Sequence, residues 1–178
     1  MPVLPPADPE ALAELDDQEL RLSVRQRADQ ALALCHTVHP DLPSPEIWFD
    51  LRGKGAGQAH FGRGGLRFNP QLLSENRQAF IDEVVPHEMA HWLVWHLQDG
   101  PSARPHGHEW RTVMRRLFGL TPSVTHRFDT ARASPAPHLY RCECREHGFS
   151  ARRHANAQAG REYRCRACHA SLRHVGSA

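Results

Sequence analysis

Residues 86–96 read PHEMAHWLVWH, and within them His87-Glu88-Met89-Ala90-His91 forms an H-E-x-x-H string. On an α-helix, positions i and i+4 lie about 40° apart around the axis, so His87 and His91 leave one face together. Two neutral imidazoles so placed can take two corners of a tetrahedral zinc site. Glu88, next in line, is close enough to remove a proton from a water on that metal, which is the arrangement of a zinc hydrolase helix. A chain with 14 His and 11 Glu in 178 residues produces such a string by accident about 0.07 times, so the flanking sequence has to support it.

A catalytic zinc takes three protein ligands and leaves one position open. The metzincin continuation is absent, since Val94 and Leu97 stand where its glycine and histidine belong. Candidates for the third ligand cluster after the next loop: His106, His108 and Glu109. Spacing does not choose among them. His96, five residues beyond His91, falls about 140° round the helix and cannot share the zinc face.

Upstream, Leu20, Val24, Ala28, Ala31, Cys35 and Val38 recur at three- and four-residue steps, a long amphipathic helix opened by Asp16-Asp17. Cys35 lies on the apolar stripe as a core thiol. Residues 47–51 read as a strand. Within the glycine-crowded segment 53–65 and just after it, residues 58–61 and 66–69 read as two short strands joined by glycine turns in a small antiparallel sheet. The glycines lack G-x-G-x-x-G spacing and open no helix, so they cradle no phosphate, and His60 is read as a strand residue. Residues 72–96 carry the motif helix, with either a kink at Pro86 just before the first histidine or a break between Leu73 and Pro86. Trp110 to Phe118 form a further amphipathic helix ended by Gly119.

The last segment differs in kind. Residues 1–137 carry 14 basic and 17 acidic groups, whereas residues 138–178 carry 8 Arg and 3 Glu, a net charge of +5. Cys142-x-Cys144 and Cys165-x-x-Cys168 offer four thiolates in two close pairs, enough to enclose one structural zinc with no open position. So short a segment has little core, and the metal supplies most of its folding energy. The expected division is a core over 1–128, a linker over 129–137 and a four-cysteine zinc ribbon over 138–178. With no run of 18 apolar residues and no signal-peptide pattern at the start, the expectation is a cytoplasmic chain without a membrane span.

The order VVPHEMAHWLVWHLQ, RPHGHEW, THRF and YRCEC…YRCRACHASL, preceded by RGKGAGQAHF and LRFNPQLLSENRQAFIDE, resembles the SprT-like zinc metallopeptidases over about residues 40–175. The resemblance implies an α+β, zincin-like metallopeptidase core followed by a small zinc ribbon. It implies His87, His91 and His106 as ligands of a catalytic zinc and Glu88 as the acid–base. His108, at a position where relatives often have proline, becomes a spare donor, and Glu109 a residue that orients a ligand. Two zincs per chain are expected, one catalytic and one structural. The implied reaction is peptide-bond hydrolysis by a zinc-activated water. Its substrates are proteins, DNA-associated proteins among them, because eukaryotic relatives are DNA-dependent proteases that cleave proteins crosslinked to DNA. The basic ribbon is the candidate DNA contact. The rival reading is a zinc-binding, nucleic-acid-associated regulatory protein with weak or no catalysis.

Overall fold

The computed structural model describes residues 3–98, 100–130, 132–133 and 138–177. The chain forms two compact units, residues 1–130 and 131–178, in a mixed α/β fold with two small sheets. The linker expected over 129–137 lies partly outside the described residues.

In the first unit, a short α1 (Pro9–Ala13) precedes α2 (Asp17–His36). Asp16 caps α2 reciprocally: its side chain accepts from the Gln18 and Glu19 amides, and Glu19 accepts from the Asp16 amide. The apolar stripe read from sequence is the buried face of this helix as far as Cys35, with Val24, Ala31 and Cys35 wholly buried, whereas Val38 lies beyond the helix end and is exposed. Burial in that apolar wall pushes the Cys35 thiol up to about 12, so it remains a protonated core residue.

The first sheet comprises β1 (Glu46–Trp48), β2 (Gly57–His60) and β3 (Gly65–Phe68) in the order β1-β3-β2. The glycine-rich pair β2 and β3 is antiparallel, as expected, but β1 joins parallel to β3 and makes the sheet mixed. Residues 49–56 carry the chain past β3 to its far edge, so the returning hairpin strand runs alongside β1 in the same direction. Buried Asn69 fixes that crossing. Its side-chain amide donates to the carbonyls of Gly53 and Gly55 (2.9 and 3.2 Å), while its carbonyl oxygen accepts from the amides of Gln71 and Leu72 and caps α3 (Pro70–Glu75).

Of the two readings of the motif helix, the structure has the break between Leu73 and Pro86. α3 ends at Asn76; α4 (Arg77–Ala79) then widens into a π turn (Phe80–Val84) that leads into α5 (Val85–Leu97). Pro86 falls in the first turn of α5, directly after the wide turn, where its missing N–H costs least. Arg27 of α2, only 5% exposed, reaches Asp82 in the π turn at 2.9 Å and the Pro5 carbonyl at 2.8 Å, and Asp82 also accepts from the Ala7 amide. A second π turn (Val113–Leu117) follows α6 (His108–Thr112). Gly119 then ends this helix with φ +72°, the left-handed residue expected there. The core between α2, the sheet and α5 is filled by Leu66, Phe68, Phe80, Met89, Leu93, Trp110 and Phe118, all under 2% exposed.

The second unit holds β4 (His138–Arg141), β5 (Glu146–Phe149), α7 (Ala151–Gln158) and β6 (Arg173–Ser177). Its sheet is antiparallel in the order β5-β4-β6. Its buried side chains are few: Tyr140, Cys142, Phe149 and Cys165. Among the described residues of the whole chain, no helix is long and apolar enough to cross a membrane.

Candidate metal centre and cleft

α5 carries His87 and His91 on one face, as their four-residue spacing requires. His106 arrives from the loop before α6 in a left-handed conformation, φ +55°, which a non-glycine residue adopts only when its surroundings hold it there. The three Nε2 atoms form a triangle with edges of 3.1, 3.0 and 3.0 Å. Neutral imidazoles carry one N–H each and cannot all satisfy one another across such a triangle. A tetrahedral metal with bonds of about 2.0–2.1 Å holds its donors roughly 3.3 Å apart, close to what is seen. The donor set therefore fits zinc.

The electrostatics agree. Burial, then the neighbouring His106, holds the His87 imidazole down at about 4, and burial, then His87 and His106, holds His91 at about 3. His106 is lowered as well, by burial and by Arg111. All three present lone pairs at neutral pH rather than positive charge. The Ser123 backbone beside His87 acts the other way and raises its pKa, but less than burial and His106 lower it. Trp110 forms the floor: its ring lies 4.7 Å from His87, 5.6 Å from His91 and 4.8 Å from His106, and its Nε1 donates to the His87 carbonyl.

Glu88 projects toward the sheet. It is 7% exposed, and its Oε2 accepts the Ala59 amide of β2 at 2.9 Å. Burial pushes its carboxyl up to about 8 despite that hydrogen bond, which favours the anion. A cation on the adjacent imidazoles would favour the carboxylate again. Gly57 makes this approach possible, because a Cβ there would stand 2.6–2.9 Å from the Glu88 side chain. His87, Glu88, His91 and His106 line one cleft of about 1190 Å³, whose opposite walls are β2 and the segment 120–128. His126 clasps that segment, its Nε2 donating to the Lys54 carbonyl while its Nδ1 accepts the Phe128 amide.

Of the other candidates, His108 and Glu109 are exposed and stand outside the converging set; His108 borders a separate groove with Arg111, Arg115 and Arg116. His96 turns back on its own helix, hydrogen-bonding the Trp92 carbonyl. His60 caps the turn after β2 by accepting the Arg63 amide. Ala59, Gly57, Trp110 and His126 were not singled out as site residues from the sequence. The first two act through backbone or through lack of a side chain, which leaves no chemical signature. Trp110 and His126 lay in plain view within the HEW and THRF strings.

In the second unit, Cys142, Cys144, Cys165 and Cys168 gather with their sulfurs within 4.8 Å of one another, including separations of 3.4 Å (Cys142–Cys144) and 3.7 Å (Cys144–Cys165). Four zinc-bound sulfurs at about 2.3 Å would sit roughly 3.8 Å apart, so this set fits a closed site. Backbone amides of Cys168 and Ala167 pull the Cys165 thiol down to about 5, toward the thiolate that a metal requires.

Comparison with known proteins places these features. Residues 17–126 match the SprT-like family. Protein SprT of Pseudomonas aeruginosa is 44% identical over 144 residues, covering 79% of this chain and 87% of its own length. Protein SprT of Pasteurella multocida is 38% identical over 157 residues, 87% and 94% of the two chains. Protein SprT of Vibrio parahaemolyticus is 38% identical over 163 residues, 90% and 97%. No solved structure matches. A stretch exceeding half of the chain, together with relatives aligned over most of their length, identifies the protein as a member of the SprT-like family.

Proposed function

We propose that the protein is a zinc-dependent peptide-bond hydrolase with a zincin-like core over residues 1–128 and a four-cysteine zinc ribbon over residues 138–178. The observation that carries this reading is the Nε2 triangle of His87, His91 and His106 opening into the same cleft as the Glu88 carboxyl. A purely structural metal has no use for a fourth, unfilled position beside an acid.

Zinc on the three imidazoles supplies Lewis acidity, polarising a scissile carbonyl and acidifying water. The chain's own residues do the rest. Glu88 takes up a proton at its carboxylate and delivers it to the departing amine, held in position by the Ala59 amide. β2 is an edge strand that pairs, among the described strands, with β3, and Gly57 to Ala59 border the cleft, so an extended substrate segment can align along it by main-chain hydrogen bonds at groups other than the Ala59 amide, which Glu88 holds. Trp110 keeps the ligand face dry and rigid. The +5 charge of residues 138–178 supports DNA-associated proteins in the cytoplasm as the substrate class, with arginines meeting phosphates. That same charge is what favours the second reading, a zinc-binding regulatory protein on nucleic acid without turnover.

Glu88→Gln separates the two readings. On a DNA-bound protein substrate, the hydrolase reading expects cleavage to fall about 10²–10⁴-fold with zinc content and fold retained. Equal inactivity of wild type and variant, with and without DNA, favours the regulatory reading.

A further inference from the structure

The second unit carries a histidine cluster that neither the candidate cleft nor the four cysteines use. His138 and Tyr140 alternate along β4 and so share a face of the sheet, and His174 of β6 sits directly opposite Tyr140 on that face. α7 brings His154 down onto the same spot. The His154 ring stacks on His138 at 3.7 Å and lies 4.7 Å from His174, and one ligating nitrogen from each of the three falls within 4.8 Å of the others. Tyr140 Oη meets His154 Nδ1 at 3.0 Å, which leaves Nε2 as the second ring nitrogen of His154 that can ligate. A hydroxyl on the distal ring nitrogen is the outer partner that metal-bound histidines usually have.

We propose that His138, His154 and His174 form a third metal site, specific for a borderline divalent ion such as zinc. An all-imidazole donor set selects zinc, nickel or copper over magnesium or calcium, which take oxygen. The stacked rings of His138 and His154 are nearly parallel, at 9°. One ring must turn about its Cβ–Cγ bond to share an ion, so this site binds more weakly than the preset triangle of the first unit. Its consequence is mechanical. α7 has no buried residue of its own, and an ion joining His154 to β4 and β6 would pin that helix to the sheet.

The test uses the untagged full-length chain loaded with two equivalents of zinc, titrated with further zinc and followed by imidazole NMR and amide hydrogen exchange. The expected result is a third, weaker equivalent that shifts the rings of His138, His154 and His174 and slows exchange in α7. His154→Asn removes that equivalent and leaves the first two. Tyr140→Phe keeps all three imidazoles and weakens the third equivalent about 10–100-fold. The proposal is overturned if no ring of the three responds to zinc, or if a third equivalent survives His154→Asn at another surface histidine. Because the readout is local to these rings, it stands or falls independently of hydrolysis in the first unit.

Discussion

The two candidate zinc centres solve opposite problems. The histidine triangle is set into a unit with a full apolar core, where Phe68, Phe80, Leu93 and Trp110 are buried with or without metal. The cysteine cluster sits in a unit whose buried set is two aromatics and two of the cysteines themselves. In the first, the fold makes the metal site. In the second, a bound metal would make the fold. Three donors with an acid alongside suit chemistry, whereas four donors with no acid among them suit a staple.

That contrast can be broken most sharply by chelation. All four tryptophans, Trp48, Trp92, Trp95 and Trp110, belong to the first unit, so their fluorescence reports on it alone. Stripping all metal should leave that fluorescence cooperative on heating while the dispersed NMR signals of residues 138–177 collapse, reflecting loss of the roughly 10–16 kcal/mol of a structural zinc. Coincident collapse of both units would erase the distinction.

Next in size is Asp82→Ala, which strands the buried Arg27 guanidinium in the first unit. The expected loss is about 3–5 kcal/mol, read as a shift of the tryptophan-monitored denaturation midpoint. An unchanged midpoint would mean that the scaffold below the motif does not depend on this pair. His106→Ala should weaken zinc at the triangle by more than the roughly 100-fold that loss of an outer partner costs, and His108→Ala should leave it unchanged. The reverse pattern in competition with a chelator would reassign the third ligand.

The smallest effect is on pH dependence of the metal-free first unit. His87 and His91 sit below the ordinary value of 6.5 in the fold, so the unfolded chain takes up protons first and stability falls as pH drops below about 6.5. Glu88 sits above its ordinary 4.5, so its contribution is present at low pH and lost as pH rises toward about 8. The two trends place the stability maximum of the apo unit near pH 6.5, with losses on the order of a few kcal/mol on either side. A profile that is flat between pH 5 and 8 would contradict both assignments.

Local patterns were legible in the sequence, and contacts between distant segments were not. His87 and His91 needed only helical spacing, and the cysteines only their pairing. The convergence of His106 needed the family resemblance, because the ten-residue loop over 98–107 carries no geometric information by itself. The parallel placement of β1 was missed because alternation reports which face a strand shows, not which neighbour it takes. The Ala59 amide that holds Glu88 is backbone, and backbone is the same at every position. The histidines of the second unit stand 16 and 20 residues apart along the chain, and only the folding of α7 over the sheet makes them one cluster.

The two π turns bear on how this family can change. Each holds one residue more than an α-helical turn needs, and each adjoins a wall of the cleft: Phe80–Val84 precedes His87, and Val113–Leu117 follows Trp110. Losing one residue from 80–84 would restore a regular helix at little cost to its hydrogen bonds, yet would swing α2, with its Arg27 anchor, and the histidine face about 100° out of phase. Gaps in the alignment of functional relatives should therefore avoid these ten positions.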